Sequence, residues 1–174
     1  AFVAIENLRV DFQYTITKNI VLGSLMEEAE IRSYFRTRLR PEPARGEVWK
    51  KISNFLLPYF ELHEDAHVLE LGCGYGYWIG AIPTSNRYAL DINPDIESML
   101  KLSGVINVKS YVSSSSSLEM FSNQSLDLIL ASNLLEHLEL EQVFDTLNEV
   151  SRTLKKNGIF CLIQPNFALC PRQY

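Results

Sequence analysis

The sequence predicts an α/β domain, a parallel sheet with helices on both faces. Three observations predict it. Short apolar runs alternate with stretches in which apolar residues recur every three or four positions, as strands alternate with crossover helices. The first well-marked run, Val68-Leu69-Glu70-Leu71, leads directly into Gly72-Cys73-Gly74-Tyr75-Gly76. The run after it, residues 87–92, carries an acid, Asp91, 21 positions beyond Glu70.

Leu8, Val10, Phe12, Tyr14 and Ile16 alternate with polar residues, the period of a half-buried strand. Phe2 to Ile5 offers that strand a hairpin partner, turning at Glu6-Asn7. Residues 27–39 follow a helical pattern, with Ile31, Phe35 and Leu39 on one stripe and Arg32, Arg36 and Arg40 on its flank. These arginines read as a solvated face, or as a source of one contact to an anionic group. Pro41 and Pro43 end the pattern, and Val48, Ile52 and Phe55 mark a second helix that stops at Pro58.

Val68, Leu69 and Leu71 read as a strand buried on both faces. The glycines after it let the backbone bend and approach a ligand, because each lacks a Cβ. A helix beginning near Tyr75 would aim its first amides at that ligand. The next strand, residues 87–92, places Asp91 where a carboxylate accepts from the ribose hydroxyls of a nucleoside. Asn93-Pro94-Asp95 then reads as N-cap, first helical residue and dipole-compensating acid.

Residues 105–112 supply a third strand, followed by five serines, 113–117. A fourth, residues 126–131, opens onto Ser132-Asn133-Leu134-Leu135-Glu136-His137-Leu138. Val143, Leu147, Val150 and Leu154 form a helix stripe, with Lys155 and Lys156 near its end and Gly158 just past it. Residues 159–163 are the fifth strand. Left bare, it would be an exposed apolar edge, so the N-terminal strand or a neighbouring chain is expected to cover it.

Composition narrows the partners. With 174 residues, 47% hydrophobic and 21% charged, the chain has the makings of one ordinary globular domain. A net charge of −5 argues against a nucleic-acid backbone or an anionic membrane surface as the main partner. No run approaches a membrane span, and the N-terminus lacks the layout of a signal peptide. Cys73, Cys161 and Cys170 have no metal-ligand spacing, and reduced thiols in a cytoplasmic protein are the simplest reading.

Glycine register separates the ligand classes. The dinucleotide fingerprint G-x-G-x-x-G would need glycine at position 77 or 79, where Tyr77 and Ile79 stand. A nicotinamide-dependent oxidoreductase is therefore disfavoured. The pattern is E-x-G-x-G-x-G, and with Asp91 and the Asn-Leu-Leu-Glu-His run it resembles the class I S-adenosylmethionine (SAM)-dependent methyltransferases over residues 45–166.

The resemblance implies a Rossmann-like sheet of strand order 3-2-1-4-5 with SAM across its carboxyl ends and S-adenosylhomocysteine as product. It implies cofactor contacts from Glu70, Gly72, Cys73, Gly74 and Gly76 in the bend, and from Asp91 and Ile92 after the second strand. Ser114 stands by count where the family commonly has an adenine-binding acid, Ser115 beside it is a further cofactor contact, and Asn133 and Leu134 pass beside the cofactor. His137 is the nearest candidate base for an acceptor that must lose a proton; no metal site is expected. The expected acceptor is a small or sugar-like molecule, and the competing reading is a non-catalytic methyltransferase-like domain that binds cofactor or a partner without turnover. Residues 1–44 form an N-terminal extension, a lid or a homodimer contact, and residues 45–174 a core without the family's last helix and strands.

Overall fold

Each central strand owes its place to side chains that alternate between two buried faces. The computed structural model describes the backbone of residues 2–5, residues 29 and 31–33, and residues 41–164. The strands are β1 (Phe2–Ile5), β2 (His67–Leu71), β3 (Asn86–Asp91), β4 (Lys109–Val112), β5 (Leu126–Ser132) and β6 (Leu154–Ile163). The helices are α1 (Pro43–Phe60), α2 (Tyr77–Gly80), α3 (Ile96–Leu102) and α4 (Leu140–Thr153), and a single 3₁₀ turn spans Leu135–His137.

One six-stranded sheet runs β1-β6-β5-β2-β3-β4. Counting only the five parallel strands in chain order gives 3-2-1-4-5, as the resemblance implied. Val68, Leu128, Leu130 and Cys161 point to the face covered by Leu56 and Phe60 of α1, Trp78 and Ile79 of α2, and Ile96 and Leu100 of α3. Leu69, Leu71, Ile129 and Phe160 point to the other face, under Val150 of α4 and Leu118 and Phe121 of the loop before β5. This two-sided burial is why β2 and β5 are nearly continuous apolar runs. Arg152 of α4 holds that loop by donating to the carbonyls of Leu118 and Phe121 and to Asn123.

The edge of β6 is covered by the chain's own β1, antiparallel, with Phe2 opposite Ile163 and Ile5 opposite Phe160. The expected hairpin partner, Leu8 to Ile16, lies outside the described residues, as does most of the helical pattern at 27–39; residues 29 and 31–33 are helical. No helix among the described residues is long and apolar enough to cross a membrane.

Three local expectations are corrected. Pro58 does not stop α1, which continues to Phe60; a proline in the last turn leaves one carbonyl without its helical donor, and α1 tolerates that. Asn93 is not the N-cap of α3. That position is Asp95, while the Asn93 side chain accepts from the Asp95 N–H at 2.9 Å, a local turn that offers the same side-chain acceptor two residues earlier. Lys155 to Gly158 lie in β6 and not at a helix end, because Leu154 already pairs with Leu126, with an irregularity in β5 before Leu128. Gly158 is required there, since a Cβ would lie 3.0–3.1 Å from the carbonyl oxygens of Leu126 and Asp127.

Candidate functional site at the carboxyl ends of the strands

The site grows from the bend after β2. Gly72, Gly74 and Gly76 all adopt positive φ, between 52° and 68°, a conformation that costs a side-chain-bearing residue. Their surroundings differ. A Cβ on Gly76 would collide with Leu100 Cδ2, and one on Gly72 would lie 2.9 Å from Leu134 Cδ1. A Cβ on Gly74 would meet nothing within 4 Å. Gly76 and Gly72 are thus glycines for packing, whereas at Gly74 the backbone faces open space.

Two acids hold the bend. Glu70, at the end of β2 and 4% exposed, accepts the Ile79 N–H through Oε2 at 2.9 Å. α2 begins at Tyr77, two residues later than expected, and this amide of its first turn is committed to Glu70 and not to a ligand. Asp91, at the end of β3 and also 4% exposed, accepts the Gly74 N–H at 2.8 Å through Oδ2 and the Asn93 N–H at 2.9 Å through Oδ1. Among the described residues, neither carboxylate is ion-paired.

Burial without counter-charge raises both. Desolvation pushes Glu70 up to about 8, opposed by the Ile79 N–H and reinforced by the charge of Asp91. Asp91 is raised by the same desolvation, opposed by the amides of Asn93, Gly74 and Ile92. The Cys73 thiol between them is held well above its ordinary value, by burial first and then by the two carboxylates. Cys73 is therefore an inert, packed thiol, not a nucleophile.

The walls come from neighbouring strand ends. Ile92, beside Asp91, is 50% exposed, and Val112, paired with Asp91 across the sheet, is 56% exposed. Sequence reasoning named Ile92 and missed Val112; the signal was an apolar residue ending the strand next to the serine run. Ser114 lies half-buried, 2.7 Å from the Ser116 hydroxyl. Ser115 is buried and turned into the protein, its hydroxyl 2.9 Å from Thr146 of α4.

On the other side, Asn133 leaves β5 at φ 48°, a left-handed conformation that asparagine tolerates, and its N–H donates to the Ile163 carbonyl at 2.9 Å. That turn puts Leu134 over Gly72 and leads into the 3₁₀ turn that ends at His137, an exposed residue whose N–H donates to Leu134. The structure thus gathers Glu70, the glycines, Cys73 and Asp91 around one bend. It places Ile92 and Leu134 at that bend's neighbours, Ser114 and Asn133 on adjoining loops, and His137 at the exposed end of the 3₁₀ turn after Leu134.

The bend lies at the topological switch point, between β2 and its two parallel neighbours, where open α/β sheets take their ligands. A separate cleft of about 690 Å³ lies at the opposite end, between residues 59–63 and 155–159, away from the bend.

Comparison with known proteins agrees with this geometry. Residues 69–162 match the methyltransferase domain family. An uncharacterized protein of Methanocaldococcus jannaschii is 31% identical over 120 residues, 68% of this chain and 49% of its own length. A SAM-dependent methyltransferase from Archaeoglobus fulgidus superposes with a TM-score of 0.57 at 24% identity, covering 78% of this chain and 57% of that one. The PH0226 protein of Pyrococcus horikoshii gives a TM-score of 0.62 at 21% identity, covering 80% and 69%. At those identities the two structures speak for the fold. The chain spans about half the length of the curated relative it matches. With the family match over more than half of its residues and the strand order in agreement, the chain belongs to the methyltransferase domain family.

Proposed function

We propose that the chain binds SAM across the carboxyl ends of β2, β3 and β5 and transfers its methyl group to a small-molecule or sugar-like acceptor. One observation carries this reading: open space at Gly74 lies beside two buried carboxylates with no cation of the described chain to balance them. A counter-charge favours the ionised form of a buried acid, and SAM carries both a sulfonium and an ammonium group. S-adenosylhomocysteine keeps the ammonium.

In this reading Glu70 orients the ammonium directly or through water, while the backbone of Gly72, Cys73, Gly74 and Gly76 lies along the amino-acid portion. Asp91 accepts from the ribose hydroxyls with the lone pairs its protein amides leave free. Ile92 and Val112 supply apolar walls for the adenine ring. Ser114 offers a hydroxyl in place of the family's usual acid, and Ser115 contributes through its backbone. Asn133 and Leu134 border the sulfur end, and residues 1–44 act as an extension of the core at 45–174.

When bound, SAM supplies a methyl group on positively charged sulfur, whose leaving group departs as a neutral thioether. The chain therefore needs no acid to protonate it. Its residues align the acceptor and exclude water. An oxygen or ammonium acceptor must also lose a proton, and His137, exposed at the end of the 3₁₀ turn after Leu134, is the base we assign. His137→Ala is expected to slow turnover about a hundredfold with SAM affinity nearly unchanged, as steady-state kinetics and calorimetry would show. Undiminished turnover would reject that role.

Asp91→Ala tests the binding site. It removes a charge-assisted acceptor, so SAM affinity should fall by about 1.5–3 kcal/mol in a calorimetric titration. A dissociation constant equal to that of the unaltered chain would take Asp91, and with it this site, out of cofactor recognition.

A further inference from the structure

A helical residue far from the bend in sequence is connected to it by a continuous set of polar contacts. Arg32 donates through Nη1 to Oδ1 of Asp95, across 63 residues of chain. The Asp95 N–H donates to Oδ1 of Asn93 at 2.9 Å, and the Asn93 N–H donates to Oδ1 of Asp91 at 2.9 Å. Asp91 in turn accepts the Gly74 N–H through its other oxygen. Asn93 is 1% exposed and fixed again by its amide, 3.1 Å from Met99 Sδ. The loop between Asp91 and α3 is therefore rigid at its inner end, and Arg32 grips its outer end.

The grip has an anchor. Ile31, the neighbour of Arg32, is buried at 8% exposure, so this part of the N-terminal segment is packed and not solvated all round. The sequence pattern assigned Arg32 to a solvated flank or to an anionic ligand. Its carboxylate partner belongs to the protein instead, at the loop that carries the ribose-binding acid.

We propose that Arg32 is a positioning residue for the cofactor: its ion pair with Asp95 holds the N-terminal helical segment against the loop after Asp91 and slows cofactor release. The proposal rests on the SAM reading above. The pair is about one-third exposed, with side chains at 36% and 39%, so it is a modest clamp that salt screens. A clamp of that kind sets an exit rate; it does not create affinity on its own.

The experiment is stopped-flow displacement of S-adenosylhomocysteine from the chain and from Arg32→Gln, Asp95→Asn and Arg32→Lys. Asparagine suits the N-cap position of α3, where the Asp95 side chain makes no capping bond, and lysine at 32 retains the charge. Both charge-removing variants should release the ligand about three- to fivefold faster, the scale of a partly exposed ion pair, and added salt should speed release only where the pair is intact. Arg32→Lys should stay near the original rate. In the ligand-free protein, hydrogen exchange over residues 29–33 should quicken in Arg32→Gln and not in Arg32→Lys. Unchanged release in both charge-removing variants overturns the proposal whatever their melting temperatures, since a purely structural pair would move only those. Absence of ligand binding by the unaltered chain would instead reject the SAM reading, and the proposal with it.

Discussion

Gly76→Ala should destabilise the chain by about 2–4 kcal/mol, and Gly74→Ala by about 1 kcal/mol while abolishing SAM binding. The two glycines share a left-handed backbone, φ 68° and 52°, so an alanine at either pays the same conformational cost, about 1–2 kcal/mol. They differ in what a methyl group meets. At Gly76 it collides with Leu100 Cδ2, and lies 3.5 Å from Ile79 Cγ2 and 3.7 Å from Val105 Cγ1. Leu100 and Ile79 are core residues with little freedom to withdraw, and overpacking of this kind adds about 1–3 kcal/mol. At Gly74 the methyl group enters empty space, which is the space assigned to the cofactor. Denaturant midpoints paired with ligand titration separate the effects. A Gly74→Ala chain that is folded and binds SAM normally would show that the open space is not the ligand's.

Glu70 should make the chain less stable as pH rises, by on the order of 3 kcal/mol between about pH 5 and 8. The sign follows from the direction of its shift. The folded value, about 8, lies above the ordinary 4.5, so the folded chain holds a proton that the unfolded chain has released. The stabilisation is whole below about 4.5 and is lost as pH climbs through 8. Glu70→Gln keeps an acceptor for the Ile79 N–H and removes this titration, so its denaturation midpoint should fall much less over the same range. A cationic ligand reverses the balance. An ammonium beside Glu70 favours the ionised carboxylate, so SAM should bind more tightly as pH rises toward 8 and expel a fraction of a proton, visible as buffer-dependent heat. An unchanged pH slope in Glu70→Gln would place the titration elsewhere.

The parts of the site that are legible in the sequence are those made by near neighbours in the chain. Val68 to Gly76 writes out a strand and its bend, and the spacing from Glu70 to Asp91 is fixed by one crossover, so both could be read from one dimension. The strand order followed from the family resemblance. What could not be read depends on distant partners. Arg32 finds Asp95 only after the N-terminal segment docks, and Ser115 turns inward because Thr146 of α4 is there to receive its hydroxyl. Pro58 signals a helix end locally, yet Leu56 and Phe60 are pulled into the core on either side of it, and burial outweighs one missing hydrogen bond. Lys155, Lys156 and Gly158 carry the composition of a helix terminus, but pairing of Leu154 with Leu126 draws them into β6.

Everything functional here depends on whether the bend at Gly74, with Glu70 and Asp91 on either side, receives a sulfur nucleoside. Calorimetric titration of the chain with SAM, S-adenosylhomocysteine and NAD addresses that most directly. One-site binding of both sulfur nucleosides with no response to NAD is the expected result. Binding of NAD alone, or of none of the three, would contradict it.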